Sequence, residues 1–239
     1  MKAVRFGYNI IFMIFFIVLM TLKTSMNEEI IVKILVLLYL FLTFLYSLFV
    51  KSEIETQFLT VALFFIFIAE ILVAFGYVFG YAFFALTHIF LIMYFVKITH
   101  KNIIKSYQKF KYLALLILLV IYSICTVFIE NNLLENTLQN VLIVPIYMLL
   151  LTIMLWKAIC VFIQENVFFT RIFYGALLFY LCDMLVLFEL TTAQLLPLIF
   201  VSWVAYIPAI FFIEHGRQTQ IAIYGNQNKS SIWLNLHSV

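Results

Sequence analysis

The chain is poor in charged residues, glycine and proline. Of its 239 residues only 14 are basic and 11 acidic, with 6 glycines and 3 prolines, whereas 67% are hydrophobic. A soluble domain has about 25% charged residues, and at this length it cannot bury so much apolar surface. The composition therefore excludes a soluble enzyme, a nucleic-acid-binding domain and a disordered chain. It indicates a polytopic membrane protein, and the scarcity of turn residues favours continuous helices over a β-barrel.

Eight apolar stretches are long enough to cross a bilayer, which takes about 20 residues per helix. The sequence thus predicts an all-α fold with about eight transmembrane helices, in one membrane domain that covers residues 1–216. Polarity rises from Glu214 onward, so residues 217–239 are predicted to form a loosely ordered cytoplasmic tail. The predicted spans are residues 7–22, 31–50, 57–75, 77–97, 111–129, 138–157, 170–190 and 195–213.

The distribution of lysine and arginine predicts the orientation. With the N-terminus in the cytoplasm, all the basic residues except Lys23 and Lys33 fall in inside segments. This positive-inside bias predicts a multi-pass cell-membrane protein with both termini in the cytoplasm, which agrees with an even number of spans. Five lysines between Lys97 and Lys111 are interpreted as an orientation signal that rests on anionic lipid. The alternative is a dedicated site for a lipid headgroup or a partner.

An internal repeat relates the two halves of the chain. Residues 69–75, Ala-Glu-Ile-Leu-Val-Ala-Phe, align with residues 182–188, Cys-Asp-Met-Leu-Val-Leu-Phe, four spans later. The third and seventh helices would then run in the same direction. The sequence therefore predicts two parallel four-helix pseudo-repeats, covering about residues 7–100 and 111–216.

The repeat aligns Glu70 with Asp183, the only acids well inside the predicted spans. A charge in the hydrocarbon costs about 2.5–3.5 kcal/mol on insertion scales, so both acids should face the protein interior or a water-filled cavity. No lysine or arginine accompanies them within the membrane. One carboxyl is therefore expected to keep its proton beside an ionised partner, as acid–base catalysis requires. The alternative is that each acid only hydrogen-bonds to a neighbouring helix.

Other polar groups within the spans are few. A lone histidine is more often a hydrogen-bonded core residue than a catalyst, and any single one of 14 tyrosines is weak evidence. The three cysteines have no metal-ligand spacing, and no metal or organic cofactor is predicted. The side chains predicted to support the two acids are His88, Tyr147, Tyr180, Ser202 and Tyr206.

These residues resemble the YhhN-type lysoplasmalogenase family of multi-span membrane proteins, over approximately residues 35–216. The second family signature, Gly-Ala-x-x-Phe-x-x-Ser-Asp, is present from Gly175 to Asp183 and is the most specific part. Residues 145–148 and 206–216 resemble its sixth and closing helices. The first signature is a small residue and an acid, followed by an aromatic residue, glycine, phenylalanine and histidine; here it reads Ala69-Glu70, Phe79-Gly80, Phe84 and His88.

The sequence departs from the family pattern at three places. The usual Gly-Asp of helix 3 is Ala69-Glu70, the serine before the second acid is Cys182, and a usual glutamine in the last helix is Ile210. Glutamate keeps the carboxyl group but moves it by about one methylene. The lost polar neighbours would retune the site or narrow the range of substrates.

The resemblance implies hydrolysis of the vinyl ether of a lysoplasmalogen to a fatty aldehyde and a glycerophospho-headgroup. Vinyl ethers hydrolyse by protonation at carbon, so the reaction needs a positioned acid and a carboxylate that stabilises the cation and activates water. Glu70 is expected to donate the proton and Asp183 to fill the second role, with the reverse assignment open. The expected partners are a lysophospholipid substrate and membrane lipid. The alternatives are a proton-coupled small-molecule transporter and a non-catalytic lipid-binding membrane protein.

Overall fold

The protein is all-helical in the computed structural model, which describes residues 2–23, 29–49, 54–75, 79–99, 108–132, 138–163, 167–189 and 205–221. These residues form eight helices. They are α1 Lys2–Lys23, α2 Glu29–Phe49, α3 Ile54–Ala74, α4 Gly80–Ile98, α5 Gln108–Asn132, α6 Leu138–Phe162, α7 Val167–Glu189 and α8, residues 205–221.

Helices α2 to α7 are each long and apolar enough to cross a membrane, and α1 has a shorter apolar segment, Phe6–Val18. The helices follow the predicted spans closely because uninterrupted apolar runs leave the backbone no hydrogen-bonding option in lipid other than a helix. The prediction of a polytopic all-α membrane protein is confirmed. The first ten residues of the eighth predicted span, 195–204, lie outside the described residues.

The contacts between helices follow the same order in both halves of the chain. Helix α1 contacts α2, α2 contacts α3 and α3 contacts α4; likewise α5 contacts α6 and α6 contacts α7. Gly175 of α7 packs against Ala209 of α8. The halves meet where α4 contacts α6 and where Arg217 of α8 reaches the Ser47 carbonyl of α2. Contacts between consecutive helices occur in any up-and-down bundle, so the parallel repeat stays a prediction.

Two glycines bring neighbouring helices into close contact. A Cβ atom on Gly80 would lie 2.5 Å from Val73 Cγ2 and 3.0 Å from the Ala69 carbonyl oxygen of α3. A Cβ atom on Gly175 would lie 2.7 Å from the Ala209 carbonyl oxygen of α8. Gly80 belongs to the first sequence signature and Gly175 to the second. Their physical role is to let the helices that carry the polar residues approach closely.

The end of α8 differs from the prediction for the tail. The sequence predicts a polar, loosely ordered segment that begins near Glu214, yet the helix continues to residue 221 and its polar side chains are buried. Arg217 Nη2 lies 2.6 Å from Glu214 Oε1, and both side chains are completely buried. Their opposite charges compensate each other inside the bundle, which composition alone cannot show. The remainder of the predicted tail, residues 222–239, lies outside the described residues.

Candidate active site

Asp183 is buried in α7 at the centre of a three-residue polar cluster. The Tyr147 hydroxyl of α6 donates a hydrogen bond of 2.7 Å to its Oδ2 atom. His88 Nε2 of α4 lies 2.9 Å from the same oxygen and 3.0 Å from the Tyr147 hydroxyl. These two contacts on one oxygen hold the carboxyl group in a defined position.

The His88 ring is completely buried, and its surroundings fix its orientation. Its Nδ1 atom lies 3.3 Å from Met154 Sδ of α6. Its ring packs edge-on against Phe179, with the ring centroids 5.2 Å apart, and against Tyr147 at 5.3 Å. With a proton on Nε2, the ring donates to Asp183. The contact of Nδ1 with Met154 and the two ring contacts therefore orient Nε2 toward the Asp183 carboxyl group.

The second acid, Glu70, lies on α3. Its carboxyl group interacts with the Tyr206 hydroxyl of α8 and is close enough to Asp183 for electrostatic interaction. Cys182 lies within electrostatic range of both acids. Asp183 is buried, whereas Glu70 is half-buried. The fold thus brings together the two acids that the sequence repeat aligns, one enclosed and one more accessible.

Phe179 connects the surroundings of the two acids. It packs against His88, and its other neighbour is Tyr206, with ring centroids 5.5 Å apart. Phe179 is one helical turn before Asp183, so both side chains lie on the same face of α7. An aromatic ring between the two polar groups keeps this part of the site apolar. Such surroundings suit a substrate with a hydrocarbon chain.

The other predicted supporting residues have different locations. Tyr180 is buried, but its hydroxyl group faces Cys125 of α5, and no hydrogen bond joins it to another described residue. The structure therefore does not bring Tyr180 into the cluster around Asp183. Ser202 lies outside the described residues. His88, Tyr147 and Tyr206 each contact one of the two acids.

Sequence reasoning missed Met154 and the contact role of Phe179. Met154 is seven residues after Tyr147, which places both on one face of α6, and this spacing was the available signal. Phe179 is the phenylalanine of the second signature, and the sequence alone indicates no contact for it. Among the residues that the structure describes, no group of three histidine, cysteine or acidic side chains could hold a metal ion.

The fold and the cluster define a class: a polytopic helical membrane protein with a pair of acids, a histidine and tyrosines in its interior. The comparison with protein families is more specific. The model of the YhhN family matches residues 28–217, which is most of the chain, so the chain belongs to the YhhN family. Neither the curated proteins nor the solved structures contain a match.

Proposed function

We propose that this protein is a membrane-embedded hydrolase that cleaves the vinyl ether bond of a lysoplasmalogen to a fatty aldehyde and a glycerophospho-headgroup. The observation that carries the proposal is the pair of acids: Asp183 receives two donors, and Glu70 beside it interacts with a neutral phenol. Two nearby carboxyls in an apolar interior share a proton more readily than they carry two negative charges. The pair can therefore act as an acid and a base together.

In the first step the Glu70 carboxyl transfers its proton to the vinyl carbon that is remote from the ether oxygen. The carbon–carbon double bond is lost, and the adjacent carbon becomes an oxocarbenium ion. The Asp183 carboxylate stabilises this positive charge, as a preorganised anion does in a site that excludes water. Tyr147 and His88 keep the carboxylate in place during the step.

In the second step a water molecule forms a bond to the oxocarbenium carbon and gives a proton to Asp183. The product is a neutral hemiacetal. Its carbon–oxygen bond to the glycerol then breaks as Asp183 gives its proton to the glycerol oxygen, and the hydroxyl proton passes to Glu70 as the aldehyde carbonyl forms. Glu70 is reprotonated, so that one water is consumed per aldehyde and alcohol released.

The donor role falls to Glu70 because of the hydrogen bonds at the two acids. The Oδ2 atom of Asp183 accepts a hydrogen bond from Tyr147 and lies 2.9 Å from His88 Nε2, so two groups hold this carboxyl group in place. Glu70 has a single such contact, with the Tyr206 hydroxyl group. Its greater accessibility also suits a group that must contact the substrate.

The test is release of fatty aldehyde from lysoplasmenyl-ethanolamine and lysoplasmenyl-choline by the full-length chain in detergent, measured by mass spectrometry. Glu70→Gln and Asp183→Asn should each lower the rate by about 100-fold or more, since general acid–base catalysis contributes about 10²–10⁴-fold. Tyr174→Phe is the control, because Tyr174 is an exposed tyrosine of α7. Absence of aldehyde from the wild-type chain with both lipids would refute the proposal.

The same variants distinguish a transporter from a hydrolase. If the chain couples proton movement to uptake of a small molecule, reconstituted liposomes should acidify or alkalise only with that solute present. Glu70→Gln and Asp183→Asn would then abolish proton movement although no aldehyde is formed by any variant. A lipid-binding protein without activity would bind lysoplasmalogen and leave the vinyl ether intact.

A further inference from the structure

A second cluster of functional groups lies at the end of the bundle where α6 ends and α5 begins. Lys157 Nζ lies 4.3 Å from the centroid of the Trp156 ring in α6. Lys111 Nζ of α5 lies 5.6 Å from the same ring and 5.4 Å from the ring of Tyr112. Two ammonium groups from different helices therefore share one indole ring.

The indole ring is fixed in position between the helices. Trp156 Nε1 donates a hydrogen bond of 3.3 Å to the backbone carbonyl of Lys111. The ring is consequently tied to the start of α5 by its nitrogen, and its π-face remains for cations. Both lysines also lie within electrostatic range of Cys160.

The balance of charge at this place is strongly positive. Among the described residues, neither Lys111 nor Lys157 forms an ion pair with an acid. Cation–π contacts compensate only part of the repulsion between two like charges, because a partly exposed contact is weak. An anion between the two ammonium groups would remove the repulsion.

The start of α5 adds to the positive potential. Lys111 lies in the first turn of α5, and that turn contains no acid. The first turn of a helix has backbone N–H groups without partners and a partial positive charge, so that cations there are unfavourable and anions are favourable. The helix terminus and the two lysines therefore favour the same kind of ligand, a phosphate group.

The surface beside the cluster is apolar. Helix α5 is the least enclosed of the six spanning helices, and only 11% of its apolar window is buried. Its exposed side chains include Phe110, Leu113 and Ile117. In a membrane this face contacts acyl chains, and it ends at the two lysines and the tryptophan, residue types that are typical of the headgroup level.

We infer that Lys111, Trp156 and Lys157 form a binding site for the phosphate group of an anionic phospholipid whose acyl chains lie along α5. This site is separate from the acid cluster and does not depend on the reaction proposed there. The inference changes the interpretation of the basic segment. An orientation signal requires only the number of charges, so Lys109 and Lys111 would be equivalent. A binding site makes Lys111 different from Lys109, which is exposed two residues earlier.

The experiment compares single variants of the full-length chain in a zwitterionic detergent. Binding is measured by native mass spectrometry and by the shift of the thermal unfolding temperature on addition of phosphatidylglycerol, with phosphatidylcholine and inorganic phosphate as separate arms. Phosphatidylglycerol should raise the unfolding temperature and phosphatidylcholine should not. Lys111→Gln and Lys157→Gln should each weaken the apparent affinity for phosphatidylglycerol about fivefold, because each removes one partly exposed ion pair with the phosphate group, which contributes up to about 1 kcal/mol.

The matched control is Lys109→Gln, which removes the same charge from the same turn and should leave the affinity unchanged. Lys111→Arg should retain binding, which separates loss of the site from loss of folding. Equal losses for Lys109→Gln and Lys111→Gln would overturn the inference in favour of a diffuse charge effect. A full temperature shift with inorganic phosphate alone would overturn the assignment to a lipid and leave a site for free phosphate.

Discussion

Tyr147 and Tyr206 each place a phenol hydroxyl group against one of the two acids. Tyr147 donates to Asp183, whereas Tyr206 interacts with Glu70. Removal of the Tyr147 hydroxyl leaves the buried carboxylate with His88 as its remaining donor, and a hydrogen bond to a charged group contributes about 1.5–3 kcal/mol. Tyr147→Phe should therefore lower the rate of aldehyde release by about 10- to 100-fold.

The readout at this scale is kcat and KM for the vinyl-ether lipid, with Tyr174→Phe as the control. A fall in kcat with little change in KM is expected, because Tyr147 contacts Asp183, the carboxylate that we propose to stabilise the reacting cation. Unchanged kinetics in Tyr147→Phe would remove the hydroxyl group from the mechanism. An equal loss in Tyr174→Phe, whose side chain is exposed, would show that the assay reports folding rather than the site.

At the scale of the helices, close packing at Gly175 sets the distance between α7 and α8. A Cβ atom there would lie 2.7 Å from the Ala209 carbonyl oxygen and 2.6 Å from Ile213 Cγ1. Because the first contact is with backbone, α8 has to move away. Gly175→Ala should destabilise the protein by about 1–3 kcal/mol, the usual range for overpacking. It should also lower activity, since α8 carries Tyr206.

Gly7 of α1 offers a matched control, because nothing lies within 4 Å of a Cβ atom built there. Gly7→Ala should leave stability unchanged or raise it by up to about 1 kcal/mol through higher helix propensity. Both variants are compared by equilibrium unfolding in mixed detergent micelles. If Gly175→Ala is as stable as Gly7→Ala, the contact between α7 and α8 is looser than the structure indicates.

For the whole molecule, Arg217, which forms an ion pair with Glu214 within α8, joins this helix to the first half of the chain. Arg217 Nη1 lies 3.4 Å from the Ser47 carbonyl oxygen of α2 and 3.4 Å from Thr60 Oγ1 of α3. Arg217→Gln leaves the Glu214 carboxyl buried without its cation. The expected loss of stability is about 3–5 kcal/mol, as for other buried pairs broken on one side.

A double-mutant cycle separates the pair from the general cost of changing buried residues. Glu214→Gln combined with Arg217→Gln should cost less than the sum of the two single variants, because neither charge then remains unpaired. The free energy of unfolding in mixed micelles is the measurement. Additive losses would mean that the ion pair does not act as a unit in holding α8.

The sequence by itself determined the membrane class, the positions of the helices, the family and the two acids. Apolar runs of about 20 residues form helices across lipid, because a helix satisfies its backbone hydrogen bonds within one segment. An acid within such a run is too costly to face the hydrocarbon, so it indicates a polar site in the protein interior. The two signatures are local, so they can be recognised without the fold. For these reasons the sequence alone singles out Glu70, Asp183 and His88.

Only the tertiary structure decided which helix faces meet. Periodicity shows which side chains share a face of one helix, but the rotation of each helix against its neighbours is set by packing. Periodicity therefore cannot show that Tyr206 faces Glu70 while Tyr180 faces α5. Nor can it show that Arg217 is buried in a helix rather than part of a tail. The same holds for Lys111, because its difference from the other lysines arises from contact with a tryptophan 45 residues later.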